Sequence, residues 1–94
     1  MYLAAYHFDG DPSELVAAYH RLMADFPEES ILLHAAVRRA DGLTVFDACP
    51  DIETFRAFSA GPEFRETLTA AGLPAPRIEP LGEVESSRVR EVTI

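Results

Sequence analysis

The chain contains no Lys, Asn, Gln or Trp and a single Cys. Without Lys no Schiff base can form, so the imine chemistry of carbonyl enzymes is excluded. Cys49 alone makes no intrachain disulfide, which rules out a secreted scaffold held by cross-links. Positive charge is also scarce. Eight basic residues, all Arg, face 16 acidic ones, and the formal net charge of −8 repels nucleic acid and anionic lipid. No apolar run reaches 18 residues, and Met1 to Gly10 has neither a positive leader nor a small-residue cleavage site. The expectation is a soluble, cytoplasmic protein that binds neither nucleic acid nor membrane. Gly-rich phosphate loops, Walker sequences, nucleophile elbows and paired-cysteine zinc signatures are missing too, so no cofactor is expected.

What is present describes an ordinary globular chain. With 94 residues, 48% hydrophobic and 26% charged, it falls at the size of a single domain over residues 1–94. Tyr2 to Phe8 is an apolar and aromatic run closed by Asp9, Gly10 and Asp11, the pattern of a strand and turn. Asp11 as cap, Pro12 at the first helical position and Glu14 three residues past the cap then open a helix. Its apolar stripe is Leu15, Val16, Tyr19, Leu22, Met23 and Phe26, and Pro27 ends it.

Ile31 to Val37 and Leu43 to Cys49 are two further strand-like runs, separated by Ala40, Asp41 and Gly42. A two-residue type I′ turn at Asp41 and Gly42 pairs Arg38 with Val45, Ala36 with Asp47 and His34 with Cys49. Those six then share one mixed face, while Ile31, Leu33, Ala35, Val37, Phe46 and Ala48 form an almost wholly apolar one that is expected under the helices. Asp51 caps a second helix anchored by Ile52, Phe55 and Phe58, and Gly61 with Pro62 either kinks it or divides it before Gly72 stops it. Ile78 to Val84 supplies a last strand, with Val89 to Ile94 as a candidate extension.

The order strand, helix, strand, strand, helix, strand is the split βαβ, ferredoxin-like α+β arrangement, an antiparallel four-stranded sheet with the second and fourth strands at its edges. Ile31 to Val37 would be an edge without a charged residue or proline, and such an edge invites aggregation unless a second chain covers it. A homodimer is therefore expected.

Together with that order, the stretch Val45, Phe46, Asp47, Ala48, Cys49, Pro50, Asp51 running into Phe55 and Phe58 resembles the dimeric α+β barrel superfamily of antibiotic biosynthesis monooxygenase-like proteins. The resemblance implies two ferredoxin-like subunits whose sheets meet to form a barrel, each with a ligand cleft between sheet and helices. Relatives of this kind include cofactor-independent monooxygenases, haem-degrading enzymes and isomerases. The Asn, Trp and His that the best understood of them use cannot be assembled here, because the chain has no Asn or Trp. Cys49 stands where many relatives carry Trp.

The candidate chemistry centres on His34 and Asp47, a base with a carboxylate diagonally across the hairpin to orient it. The alternative for this pair is a hydrogen-bonded link on a polar sheet face or at a dimer seam. His7 alternates with Leu3 and Ala5 in the first strand and is expected to share the face of His34, Asp47 and Cys49. These four match no metal signature, so no metal is expected. Cys49 is either a nucleophile with His34 as its base or a small hydrophobe. Tyr6 and Tyr19 are the phenols expected to line an apolar pocket. The expected function is binding of an apolar or aromatic small molecule, with any catalysis at His34 and Asp47. The alternative is a non-enzymatic dimeric binding or interaction module.

Overall fold

A computed structural model describes residues 1–25 and 31–90. The elements run β1 (Tyr2–Asp9), α1 (Pro12–Ala24), β2 (Leu33–Arg39), β3 (Gly42–Cys49), α2 (Ile52–Ala60), α3 (Pro62–Ala71) and β4 (Arg77–Glu83). The strands form one four-stranded sheet ordered β2-β3-β1-β4, every pair antiparallel. This is the expected split βαβ order, with β2 and β4 at the edges.

Helix ends follow from local chemistry. The Asp11 carboxylate accepts from the Ser13 amide and Pro12 begins α1. Asp51 accepts from both the amide and the hydroxyl of Thr54 at 2.8 and 2.7 Å, which starts α2. Gly61 and Pro62 separate α2 from α3 as two short helices. Gly72 then closes α3 in the left-handed region (φ 91°), where its amide and that of Leu73 recover the carbonyls of Thr69 and Leu68. Phe26 and Pro27 lie outside the described residues, as do positions 91–94 of the candidate extension; Val89 and Arg90 belong to no strand. No helix among the described residues is long and apolar enough to cross a membrane.

The hairpin departs from expectation. Arg39 pairs with Gly42 and His34 with Asp47, so the register is shifted by two residues and the loop is Ala40 and Asp41. A type I′ turn needs positive φ at both central residues, and no non-glycine residue among those described has one. Gly42 instead serves close approach. A Cβ there would stand 2.1 Å from the Phe8 carbonyl oxygen of the adjoining β1.

A shift of two leaves every side chain on its own face, yet the covered face is the opposite of the one expected. The helices pack on Tyr2, Ala4, Tyr6, Phe8, Leu43 and Val45, the face that also carries His34 and Asp47. β1 decides this. It lies inside the sheet and sends its three aromatic rings one way, and aromatic rings bury more area than the Leu and Ala of the alternative. Phe55, Leu68 and Leu73 complete the core, with Tyr2 against Phe55 at 5.2 Å between ring centroids. Leu3, Leu33, Val37 and Phe46 are left on a sheet face that no described helix covers.

A polar network crosses one end of that face. The Arg39 Nε donates to Thr44 Oγ1 (2.8 Å), whose hydroxyl donates to His7 Nδ1 (3.0 Å), and His7 Nε2 donates to Glu79 (2.9 Å). Asp9 sits between Arg77 and Arg39, and hydrogen bonds from both hold its carboxyl below the usual carboxylate range. Because the folded state favours the ionised form, the stabilisation is present above the ordinary carboxylate value and is lost as pH falls through the lowered one. Asp9→Asn is accordingly expected to lower the melting temperature at pH 7 and to leave it near that of the wild type at pH 2, as read by scanning calorimetry.

At the far edge β4 is irregular. Its register against β1 shifts between Leu3 and Ala4, Pro80 lies within it, and Gly82 holds φ 140°.

Candidate functional site

Three elements bring three polar side chains together under the helices. β2 and β3 set His34 opposite Asp47, and α1 turns Tyr19 inward one turn beyond Leu15. The His34 Nδ1 contacts Asp47 Oδ1 at 2.5 Å and its Nε2 contacts the Tyr19 hydroxyl at 2.5 Å. The carboxylate accepts from Nδ1–H, which leaves the Nε2 lone pair to accept the phenol proton. The His34 and Asp47 side chains are only 24% and 15% exposed, so this chain of groups works in a medium less polar than water. The Tyr19 and His34 rings are nearly parallel (4°), with centroids 5.8 Å apart. At that separation, with the hydroxyl on Nε2, they meet end to end rather than face to face. Tyr19 therefore covers the basic nitrogen.

The three residues line a cavity of about 30 Å³ between sheet and helices, walled by Tyr6, Phe8, Phe58 and Phe64 among others. Tyr6 and Phe64 rings lie 5.5 Å apart and Phe58 and Phe64 4.6 Å apart, so one side of the cavity is an aromatic cluster. Burial, with the charges of Asp47 and Cys49 adding, pushes the Tyr6 phenol far above its ordinary value, and it stays protonated throughout the physiological range.

Of the residues singled out from sequence, the structure gathers His34, Asp47, Tyr19 and Tyr6 about one cavity. His34 and Asp47 are directly opposed rather than diagonal. His7 does not join them. It pairs with Thr44 while Tyr6 pairs with Val45, which puts His7 on the uncovered face, and the four residues weighed as a metal set are split between two faces. Cys49 pairs with Tyr2, and its sulfur reaches toward the carbonyls of Tyr2 and Asp51 at 3.9 and 3.7 Å. Burial and the carboxylates of Asp51 and Asp47 push its thiol up, against the thiolate that a nucleophile needs. Tyr19 was expected on a pocket wall, but its hydrogen bond to His34 Nε2 was not foreseen; its place on the α1 stripe was the signal available. The Arg39–Thr44–His7–Glu79 network left no signal, since it depends on register across four strands.

No family model matches the sequence, and no curated protein matches it. Solved structures do. A Deinococcus radiodurans protein provisionally described as an antibiotic biosynthesis monooxygenase superposes with a TM-score of 0.64 at 11% identity, over 97% of this chain and 100% of that one. SnoaB, a cofactor-independent oxygenase from Streptomyces nogalater, gives 0.58 at 18% identity over 90% of this chain and 92% of its own. A point variant of SnoaB gives 0.58 at 19%, over 96% and 95%. At these identities the likeness is one of fold.

Proposed function

On the fold of the antibiotic biosynthesis monooxygenase-like proteins, we propose that this chain binds an apolar or aromatic small molecule in the cavity beside Tyr19, His34 and Asp47. The carrying observation is the continuous hydrogen-bonded path from the cavity-facing phenol through the imidazole to the carboxylate. Such a path moves a proton without moving a heavy atom. The Tyr19 oxygen takes a proton from the ligand as its own proton passes to His34 Nε2, and Asp47 stabilises the imidazolium that results. The chemistry this supports is acid–base, with His34 and Asp47 as the working pair and Tyr19 as the contact atom. SnoaB's description as cofactor-independent is in keeping with a site built from side chains alone.

The working unit is a homodimer. Leu3, Leu33, Val37 and Phe46 form an apolar sheet face with no described element over it, and Val37 on the edge strand and Leu32 just before it are 45% and 59% exposed. A second copy covers both features at once. A non-enzymatic dimeric module is the second candidate, favoured by the small size of the cavity, about 30 Å³ against the several hundred Å³ of an ordinary ligand pocket.

Native mass spectrometry of the untagged protein, purified without added ligand, tests the assignment. A dimer carrying extra mass is the expected result, and a bare monomer overturns both dimer and ligand site. The His34→Ala variant then separates the two candidates. It is expected to keep the dimer and to lose the retained mass, with any turnover falling by about a hundredfold or more. Monomerisation or unfolding of that variant makes the histidine structural.

A further inference from the structure

The sheet is wider than the helix layer that covers it. The helices pack chiefly on β1, β2 and β3, and at β4 the covered face runs out: Ile78 pairs with Tyr6 and shares its face, yet Tyr6 is 4% exposed and Ile78 37%. Between this overhanging strand and α3 lies a groove of about 320 Å³, within the size range of pockets that take small organic molecules. Its apolar wall is Phe64, Leu68, Leu73, Pro76 and Ile78. Phe64, Leu68 and Leu73 also wall the central cavity, so they separate the two spaces. The rim residues Arg65, Thr69 and Ala75 are exposed, and the groove is reached from outside with every side chain where it stands.

Three polar side chains stand on the helical bank of this groove. Arg65 and Thr69 are one turn apart on α3, and Ser59 lies in the last turn of α2. None of the three side chains makes a hydrogen bond or ion pair with any described residue, whereas Arg21, Arg38, Arg39 and Arg77 are each bonded to one. No carboxylate side chain among the described residues lines the groove. Glu66, next to Arg65 in sequence, lines the space on the other side of α3, against α1. In a chain of net charge −8 this is a local point of positive charge beside an apolar wall. A guanidinium is planar, more weakly hydrated than an ammonium, and presents a fork of donors that matches a carboxylate. An apolar wall on one side displaces water and strengthens that attraction.

We propose that this groove binds a planar aromatic carboxylate, with its ring against Phe64, Leu73 and Ile78 and its carboxylate accepting from Arg65, the Ser59 and Thr69 hydroxyls serving as further donors. It is a second ligand site, and it does not depend on the assignment of the central cavity: Tyr19, His34 and Asp47 do not line it. Charge picks the ligand here. The ring alone finds the same wall that any flat apolar molecule finds, and the carboxylate adds the pairing that Arg65 lacks among the described residues.

The test uses 2-naphthoate and 2-naphthamide, which are alike in shape and differ in charge. Each is titrated at low ionic strength into isotope-labelled wild type, Arg65→Gln and Thr69→Glu, and backbone amide shifts are followed by two-dimensional NMR, with differential scanning fluorimetry as a check on folding. Thr69→Glu sets a carboxylate one turn from Arg65, where it occupies the guanidinium in the ligand's place. The expected result is a preference of about fivefold for 2-naphthoate in the wild type, the size of an ion pair at a surface, with shifts centred on α3 and residues 72–76. The preference is expected to shrink as salt is raised and to vanish in both variants, with 2-naphthamide affinity unchanged. Because both positions are exposed and their side chains bond no described residue, both variants are expected to melt near the wild type. Equal affinities in the wild type, a preference that survives in either variant, or shifts confined to the residues of the central cavity overturns the proposal. So does failure of both probes to bind, the outcome if a second copy of the chain or its own residues past Glu83 cover the groove.

Discussion

Phe46→Glu is expected to convert the proposed dimer into a folded monomer, seen as a halving of the mass in size-exclusion chromatography with light scattering. Phe46 lies on β3 with its side chain on the face away from the helices, opposite Ala35 of β2 and Ala5 of β1. It is half-buried within the single chain, so a carboxylate there still reaches water and the monomer tolerates it. Between two such faces the same carboxylate loses its water, gains no partner, and meets its own copy across a two-fold axis. Burial of an unpaired charge costs several kcal/mol, enough to dissociate an interface of moderate size. Retention of the dimer would move the interface to the β2 edge, where Val37→Arg becomes the informative substitution.

Gly42→Ala is expected to be the most damaging single methyl that can be added among the described glycines. The new Cβ would stand 2.1 Å from the Phe8 carbonyl oxygen and 2.5 Å from the Arg39 guanidinium. The arginine end can swing aside, but the carbonyl belongs to β1, whose ladder with β3 runs from Tyr2 and Cys49 to Asp9 and Gly42. To relieve the clash the two central strands must part at the Asp9 and Gly42 end of that ladder, where Arg39 also donates to that same carbonyl at 3.0 Å. A loss of about 3 kcal/mol or more follows, which for a domain of this size lowers the melting temperature by roughly 12 to 24 °C. Gly82→Ala is the control. It meets nothing within 4 Å and its cost is confined to the strain of a positive φ at 140°. Thermal melts of the two variants side by side separate crowding from backbone strain.

The element order was legible because its signals are local. Asp11 with Pro12, Asp51, the Gly61 and Pro62 break and Gly72 each act on the chain within a few residues, and each does in the structure what its chemistry dictates. The covered face was not legible, because it is settled by a comparison between strands. Taken alone, the β2 and β3 hairpin has its more apolar face at Leu33, Ala35, Val37, Phe46 and Ala48, and only the aromatic rings of β1 outweigh it. Gly42 misled for a related reason: Asp-Gly is a turn signal in isolation, and the carbonyl that requires a glycine there comes from residue 8. The His34 and Asp47 pairing survived the two-residue error in register because side-chain parity is unchanged by an even shift. His7 was misplaced by one residue of parity against β3, which is the whole difference between the two sides of a sheet.

The irregular β4 bears on what happens when many copies meet. A sheet with two regular free edges can add strands at both, and a head-to-tail contact of that kind propagates without end. Here β2 is the regular edge, whereas β4 carries Pro80, which has no amide hydrogen to give, and a register break beside Gly82 that bends the strand out of line. A β2 edge therefore finds no matching edge on the opposite side of a neighbour. Fibre growth by strand addition stops before it starts, and self-association is steered into closed, countable assemblies even at high protein concentration.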